Sequence, residues 1–456
     1  MDKDKRSCAR FGIRYAINMG NSVVGSMVNL SEGGARLALN EGISDDIVNF
    51  AVRIPEQNSL VHFSGSVVWS NVQSSDGYSC GIKFHNGSHA KALLLLGELY
   101  VLNFLEKELG VDRKRLSGSL PLLLHFFKIR VRGFLSELID LNLTLSEKVV
   151  TSEALYQRIK KISDEVVISG DNILEGLELE RVEQRALGKL TKEAFRTIVG
   201  SLVYQSQIMK RAYQKPQGYA GDYRTLEVIY DNRAYSPSSL GYYYDRYFLD
   251  DRYAHAVRER KDRMREILRG FIGTSPRSGL RVFNLASGSC REIRELVQAG
   301  DFGKPVEFVC LDQDVEALDF SKRSLEPYKN QNTEFKFIGA NILNMLKGNG
   351  EPIASELGTF DLVYSIGLVD YLPDRILEKL VKTILSLLKP SGILVLTHKD
   401  RALYKPVPAD WFCEWTFVPR TQSEFVNLIE KVTDKSQITI ERNPNSCIFF
   451  LTIIKR

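Results

Sequence analysis

Two groups of side chains in this 456-residue chain have the types and spacing to hold a ligand. Near the start, Arg6 and Arg10 bracket RSCAR, and VNLSEGGARLAL follows with Asn29, Ser31 and Gly34 at the spacing N-x-S-x-x-G. Guanidinium forks chelate phosphate oxygens or the Hoogsteen edge of guanine and also stack on base planes. Asn29 and Ser31 add short hydrogen bonds, while Gly33 and Gly34 let the backbone come close to a ligand. Arg14 repeats the spacing from Arg10 but falls inside the first strand-like run. The plain alternative for this stretch is a solvated basic tail on a structural β domain.

The second group is RVFNLASGSCREI, Arg281 to Ile293, an apolar run that enters a small-residue turn and then a helical pattern. A doubly wound fold binds nucleotides at such a turn. The next apolar run, VEFVCLD, ends in Asp312, about the distance downstream at which a carboxylate takes ribose hydroxyls. The turn lacks G-x-G-x-x-G and offers Ala286, Gly288 and Cys290 instead, which argues against a dinucleotide pyrophosphate.

These groups need elements to position them. Residues from about 10 to 90 read as short strands (VVGSMVNL, ARLAL, NFAVRI, FSGSVVW, SCGIKF) between turns, the pattern of a small antiparallel barrel. From Ala90 to Lys210 the apolar periodicity is helical, with Pro121 its single proline. From Gly279 onward strands alternate with helical patterns, as in a parallel sheet, and SQITIERN with SCIFFLTIIKR reads as a closing antiparallel hairpin. Between Tyr213 and Tyr253 lie ten of the 19 tyrosines, enough to line a mixed pocket or to pack a seam.

Composition sets outer bounds. With 44% hydrophobic and 26% charged residues the chain reads as globular, and 61 basic against 56 acidic residues leave +5, too little for wholesale binding to nucleic acid polymers or anionic membrane. The six cysteines form no C-x-x-C pair, so neither a metal site nor a disulfide framework is expected. The charged start MDKDKRSCAR and the lack of a ~20-residue apolar run predict a reduced, cytoplasmic protein without a membrane span.

The R-x-x-x-R and N-x-S-x-x-G pair, with VVW at 67–69 and YSCGIKF at 78–84, resembles the PilZ family of bacterial cyclic di-GMP receptor domains. The resemblance implies cyclic di-GMP binding through Arg6, Arg10, Asn29, Ser31 and Gly34. The order from NLASGSCREI through Asp312, GANIL at 339–343 and the long stretch 358–400 resembles class I S-adenosylmethionine-dependent methyltransferases. It implies S-adenosylmethionine as donor, held by Asn284, Ala286, Ser287 and Gly288 in the loop, Asp312 at the ribose, Asn341 at the adenine, and Ile366 and Gly367 beside the sulfonium. Asn284 stands where an acid is commoner, and Ala286 and Cys290 replace glycines. The implied fold is multidomain: a small antiparallel β-barrel at 1–95, an α-helical segment at 96–212, a Tyr-rich substrate or cap segment at 213–270, and at 271–456 an α/β Rossmann-like methyltransferase with a mostly parallel seven-stranded sheet.

Methyl transfer is an in-line displacement, so the protein positions the reactants and supplies a base only where the nucleophile is protonated. The candidate catalytic residues are His398, Asp370, Tyr371, Tyr219 and Asp222, His398 having a plain alternative as a strand-end polar residue. The Tyr-rich segment and the donor turn also resemble bacterial methyltransferases that make hydroxypalmitate methyl ester. That likeness implies a small-molecule or lipid acceptor, its fatty carboxylate among Tyr219, Tyr242, Tyr243 and Tyr244 with Arg224 or Arg246 near its charge. The rival readings are a degenerate methyltransferase fold that docks a protein partner and a protein carboxyl methyltransferase. The charged helices between Val149 and Leu190 read first as a solvated intramolecular bundle and second as a homodimer seam.

Overall fold

A computed structural model describes residues 11–19, 22–31, 33–54, 59–73, 77–85, 92, 122, 123, 125–145, 152–177, 181–342, 346, 357–405 and 407–456. The chain divides into two compact units, 1–204 and 205–456.

The first unit opens with six strands: β1 (Phe11–Met19), β2 (Ser22–Ser31), β3 (Gly34–Leu39), β4 (Ile47–Ile54), β5 (Ser59–Gln73) and β6 (Gly77–Phe84). They close into an antiparallel barrel in the order β1-β2-β3-β6-β5-β4, with β1 completing the circle against β4. Closure removes the exposed edges that short strands would otherwise present. The alternating burial of β3 puts Ala35, Leu37 and Leu39 inside, where they meet Ile17, Met27, Val52 and Ile82. Phe63 stacks between Phe50 (5.5 Å) and Phe84 (5.1 Å) to fill the centre.

Helices follow in the same unit. A π-helical turn at Phe126–Val131 runs into α1 (Arg132–Thr144), then come α2 (Glu153–Glu175) and α3 (Arg181–Val203). Ser152 caps α2 by accepting from the Leu155 N–H, and the buried stripe Tyr156, Ile159, Ile162, Val166 and Val167 follows helical spacing.

The second unit begins with four helices, α4 (Gln207–Gln214), α5 (Tyr223–Asp231), α6 (Ser239–Leu249) and α7 (Arg252–Thr274). Its sheet is built from β7 (Leu280–Leu285), β8 (Val306–Asp312), β9 (Thr333–Gly339), β10 (Phe360–Ser365), β11 (Leu388–Lys399), β12 (Ile438–Glu441) and β13 (Ile448–Ile454). The crossing helices are α8 (Arg291–Gln298), α9 (Val315–Leu325), α10 (Asp374–Leu387), α11 (Pro408–Cys413) and α12 (Gln422–Ile429). The strand order is β12-β13-β11-β10-β7-β8-β9, parallel except that β13 runs antiparallel to both β11 and β12. The mostly parallel seven-stranded sheet and its terminal hairpin are therefore as the sequence predicts.

Both faces of that sheet are covered, which explains why its strands read as nearly continuous apolar runs. On one face Phe283, Leu285 and Val363 meet Leu377, Leu380 and Ile384 of α10. On the other, Val282, Phe308 and Tyr364 meet Met264, Leu268 and Ile272 of α7. The chain order reverses between β7 and β10, and ligands of doubly wound sheets bind beyond the carboxyl ends of the strands at such a point.

Gly34 has a structural duty apart from any ligand: a Cβ there would run into the Ile82 carbonyl oxygen across the β3–β6 ladder, whereas a Cβ on Gly33 would enter open space. Gly34→Val is expected to destabilise the protein by about 1–3 kcal/mol or more through overpacking, and Gly33→Ala to be nearly neutral. Urea unfolding of the two variants checks this, and equal midpoints would refute it.

Candidate functional site

Asp312 ends β8 at the carboxyl edge of the sheet and is 6% exposed. Its Oδ2 accepts the Gly288 N–H at 2.7 Å and its Oδ1 accepts the Asp314 N–H at 2.9 Å. The carboxylate thus ties the turn after β7 to the turn after β8. Burial pushes its pKa up, and the backbone donors of Asp314 and Gly288 oppose that shift.

The turn after β7 winds through three left-handed residues, Ala286 (φ 56°), Gly288 (φ 53°) and Cys290 (φ 49°). Only Gly288 adopts that region without steric cost. Surrounding bonds hold the other two in place: Ser287 N–H donates to the Leu311 carbonyl at 3.0 Å, Cys290 N–H to the Ser287 carbonyl at 3.0 Å, and Ser321 Oγ to the Gly288 carbonyl at 2.9 Å.

A cavity of about 450 Å³ opens beside this turn. Ala286, Gly288 and Asp312 form one side, Gln313, Ala340 and Ile342 a second, and Gly367 with Leu368 the floor beyond β10. The opposite wall comes from helices and loops outside the sheet core: Gln217, Gly218, Tyr219 and Tyr223, then Tyr253 and Arg260 of α7, then Tyr371 and Trp415. Trp415 Nε1 donates to the Tyr371 hydroxyl at 2.7 Å. A Cβ on Gly221 would stand 2.6 Å from the Trp415 ring, so only glycine lets the 215–222 loop close against it.

Three of the wall tyrosines titrate high. Burial, reinforced by Asp312 and Asp314, holds the Tyr219 hydroxyl neutral far above the usual phenol range. Burial does the same for Tyr371, against the opposing Trp415 hydrogen bond, and for Tyr253. At neutral pH these hydroxyls donate hydrogen bonds and do not act as bases.

Of the residues predicted from sequence, the structure brings Ala286, Gly288, Asp312, Gly367, Tyr219 and Tyr371 to the cavity wall. The others do not line it, each for a physical reason. Asn284 is 2% exposed and its Nδ2 donates to Glu292 Oε1 at 2.9 Å, a carboxylate that also accepts from Tyr364 Oη at 2.6 Å. Asn284 thus faces the buried Glu292 of the following helix and not the cavity. Ser287 is buried within its turn, and Ile366 packs with the α7 face of the core. Asn341 donates to Gln313 Oε1 at 3.0 Å, and its neighbours Ala340 and Ile342 take the wall. Asp222 caps α5 by accepting the Thr225 N–H and grips Arg211 through both oxygens, at 3.2 and 2.5 Å.

His398 and Asp370 likewise form a buried pair behind the wall. His398 Nδ1 is 2.8 Å from Asp370 Oδ1, and its ring stacks on Phe425 at 4.6 Å. Asp370 also accepts the Lys399 N–H at 2.9 Å. Burial opposes its ionisation, yet the charges and hydrogen bonds of His398 and Lys399 hold its pKa well below the usual carboxylate range. Tyr242, Tyr243 and Tyr244 do not line the cavity, Tyr244 packing on Tyr247 and Phe412; Arg224 pairs on the surface with Glu316, and Arg246 with Asp250. Arg6 and Arg10 lie outside the described residues. In the barrel Asn29 Oδ1 accepts the Arg36 N–H at 3.1 Å and Ser31 Oγ donates to the Gly34 carbonyl at 3.0 Å.

Sequence reasoning missed Arg260 and Trp415, and it placed Tyr253 only within the tyrosine-rich stretch. Arg260 is one basic residue among many in RERKDRMR, and Trp415 stands far along the chain from the donor turn. Only tertiary packing marks them.

Ala286→Gly is expected to raise stability by about 1 kcal/mol by relieving a left-handed alanine, read from the thermal midpoint; a lower midpoint would contradict the strain. His398→Gln is expected to cost about 1–3 kcal/mol while leaving nucleoside binding at the cavity unchanged. Unchanged stability with lost activity would instead place His398 in the chemistry.

The chain matches the PilZ domain over residues 4–99 and a methyltransferase domain over 284–396. No curated protein matches it. Similar solved structures include a "possible exported protein" from Bordetella parapertussis, at 17% identity and TM-score 0.40, covering 67% of this chain and 99% of that one. Magnesium protoporphyrin IX methyltransferase from Synechocystis PCC 6803 with bound SAM is 11% identical, with TM-score 0.31, 44% of this chain and 83% of that one covered. The plantazolicin methyltransferase BpumL in complex with SAH is 11% identical, with TM-score 0.35, 57% and 98% covered. The chain thus contains a PilZ domain in its N-terminal unit, where the closed barrel lies, and a methyltransferase domain in its C-terminal unit, where the seven-stranded sheet lies.

Proposed function

We propose that this protein transfers a methyl group from S-adenosylmethionine to a small-molecule or fatty carboxylate, under control of cyclic di-GMP bound by the PilZ domain. The observation that carries the donor assignment is Asp312: a buried carboxylate at the end of the second sheet strand, hydrogen-bonded to the turn after the first and facing the cavity. When bound, S-adenosylmethionine supplies an electrophilic methyl on a sulfonium. Asp312 would accept from its ribose hydroxyls. Ala340 and Ile342 offer an apolar slot for adenine, and Ala286, Gly288 and Gly367 leave room for the amino-acid end.

The acceptor class follows from what the wall lacks. A protonated nucleophile needs a base poised near neutrality. Among the described lining residues, Tyr219, Tyr253 and Tyr371 stay protonated, and Asp312 is committed to the donor. An acceptor that arrives ionised, such as a carboxylate, needs no base. The apolar wall of Leu226, Leu368 and Trp415 then excludes water from the displacement.

For the N-terminal domain, Asn29 Nδ2 and the Ser31 Oγ lone pairs remain free of the bonds described above and would join Arg6 and Arg10 at the nucleotide. Control requires cyclic di-GMP to bind two states of the protein with different affinity.

Calorimetric titration with S-adenosylmethionine and with cyclic di-GMP, each alone and in the presence of the other, is expected to show both binding and a reciprocal change in affinity. Asp312→Asn should weaken donor binding by about tenfold or more. Because the folded pKa of Asp312 is raised, wild-type affinity should begin to fall on acidification above the ordinary aspartate range, and the Asn variant should lose that dependence. A wild-type protein that binds cyclic di-GMP alone would refute the transferase reading and leave the second unit a docking module.

A further inference from the structure

We infer that Arg260 seats the carboxylate of a ligand in the cavity, an inference that rests on the methyl-transfer reading of the same site. Arg260 is 3% exposed and lines the cavity. Its Nε is buried without a hydrogen-bond partner, and its protein partner is the hydroxyl of Tyr230, a group kept neutral by burial, which pushes its pKa up to about 12. Nη2 lies 3.8 Å from the Cβ position of Gly367, on the floor between β7 and β10.

The nearby carboxylates are committed elsewhere. Asp370 and Glu292 act on Arg260 only through space, while Asp370 holds His398 and the Lys399 N–H, and Glu292 holds Asn284 and Tyr364. Other buried cations of this unit show the contrast. Lys261 pairs with Glu295 at 2.6 Å and Arg420 with Asp374 at 2.7 Å. Lys399 has no hydrogen-bond partner at Nζ, but it is boxed by the rings of Tyr253, Tyr404 and Phe417 and does not line the cavity.

A desolvated guanidinium without an anion is costly, and its planar fork matches a carboxylate through two parallel hydrogen bonds. With the Asp312 carboxylate also lining the cavity, a lone cation suits a singly charged group better than a phosphate dianion. Two carboxylates reach this site under the proposed reaction: the amino-acid end of the donor and the acceptor itself.

Full-length wild type, Arg260→Met and Arg260→Lys distinguish them by calorimetry with S-adenosylhomocysteine, with 5′-methylthioadenosine, which lacks the amino-acid end, with decanoate and with methyl decanoate. If the donor carboxylate is seated, Arg260→Met weakens S-adenosylhomocysteine by about tenfold or more and 5′-methylthioadenosine by less than about twofold. If the acceptor is seated, the loss falls on decanoate and spares methyl decanoate and S-adenosylhomocysteine. In either case Arg260→Lys, which keeps the charge without the fork, loses less, and the ligand-free thermal midpoint of Arg260→Met stays level or rises because an uncompensated charge is gone. The inference is overturned if no carboxylate probe that binds wild type loses affinity in Arg260→Met, whatever the midpoint does, or if wild type binds none of the four. Wild type that ignores both adenosyl compounds but loses decanoate on Arg260→Met would sink the donor reading and keep the seat.

Discussion

The carboxylate of Asp312 is the joint on which the site depends. It sits where two adjacent parallel strands end, and it can accept hydrogen bonds from both following turns because parallel strands deliver those turns to the same edge. The turn after β7 takes a left-handed path at a steric cost to Ala286 and Cys290, against which the Ser287, Cys290 and Ser321 hydrogen bonds also act. The bond from Gly288 to Asp312 fixes that path. The same atoms that shape the cavity thus belong to the residue that the proposed donor site assigns to a ribose, so in that proposal stability and recognition draw on one charge.

A second layer of polar groups lies beneath the cavity and supports it. Asn284, Glu292 and Tyr364 form one hydrogen-bonded cluster, and Asp370, close to His398 and accepting from the Lys399 backbone, is the centre of another. Burial raises the pKa of Glu292, with the Tyr364 and Asn284 hydrogen bonds opposing, whereas His398 and Lys399 drive Asp370 the other way. Buried polar clusters of this kind are favourable only when each member finds a partner. Arg260 lies between the two and shares neither set of hydrogen bonds, which separates it from the scaffold and assigns it to whatever fills the cavity.

Much of this architecture is legible in the sequence. The barrel strands show turn residues between short apolar runs, and the sheet strands of the second unit show the continuous apolar runs of elements buried on both faces. Asp312, Ala286, Gly288 and Gly367 are legible too, because strand ends and the turns after them fall at fixed places in the pattern. His398 and Asp370 share that advantage yet face inward, since a strand-end position does not say which way a side chain points. Asn284 illustrates a different loss: its place at the end of β7 suggests a ligand contact, yet its amide turns to the buried Glu292, eight residues on. Arg260 and Trp415 carry no local signal at all, being chosen by packing between segments distant in sequence.

The tyrosine-rich stretch resolves along the same line. Packing and pocket lining compete for the same amphipathic side chain, and the outcome is set by which helix face each tyrosine occupies. Tyr243, Tyr244 and Tyr247 are buried on α6, while Tyr219, Tyr223 and Tyr253 reach the cavity from a loop and two other helices. Burial deprives the Tyr219 and Tyr253 hydroxyls of base character without removing their capacity to donate. Among the described residues the wall offers neutral donors, one buried guanidinium and no poised base, and under the proposed transfer that suits an acceptor that is already an anion. That constraint on the chemistry arises from desolvation across the whole wall, so it belongs to no single residue and no motif could have announced it.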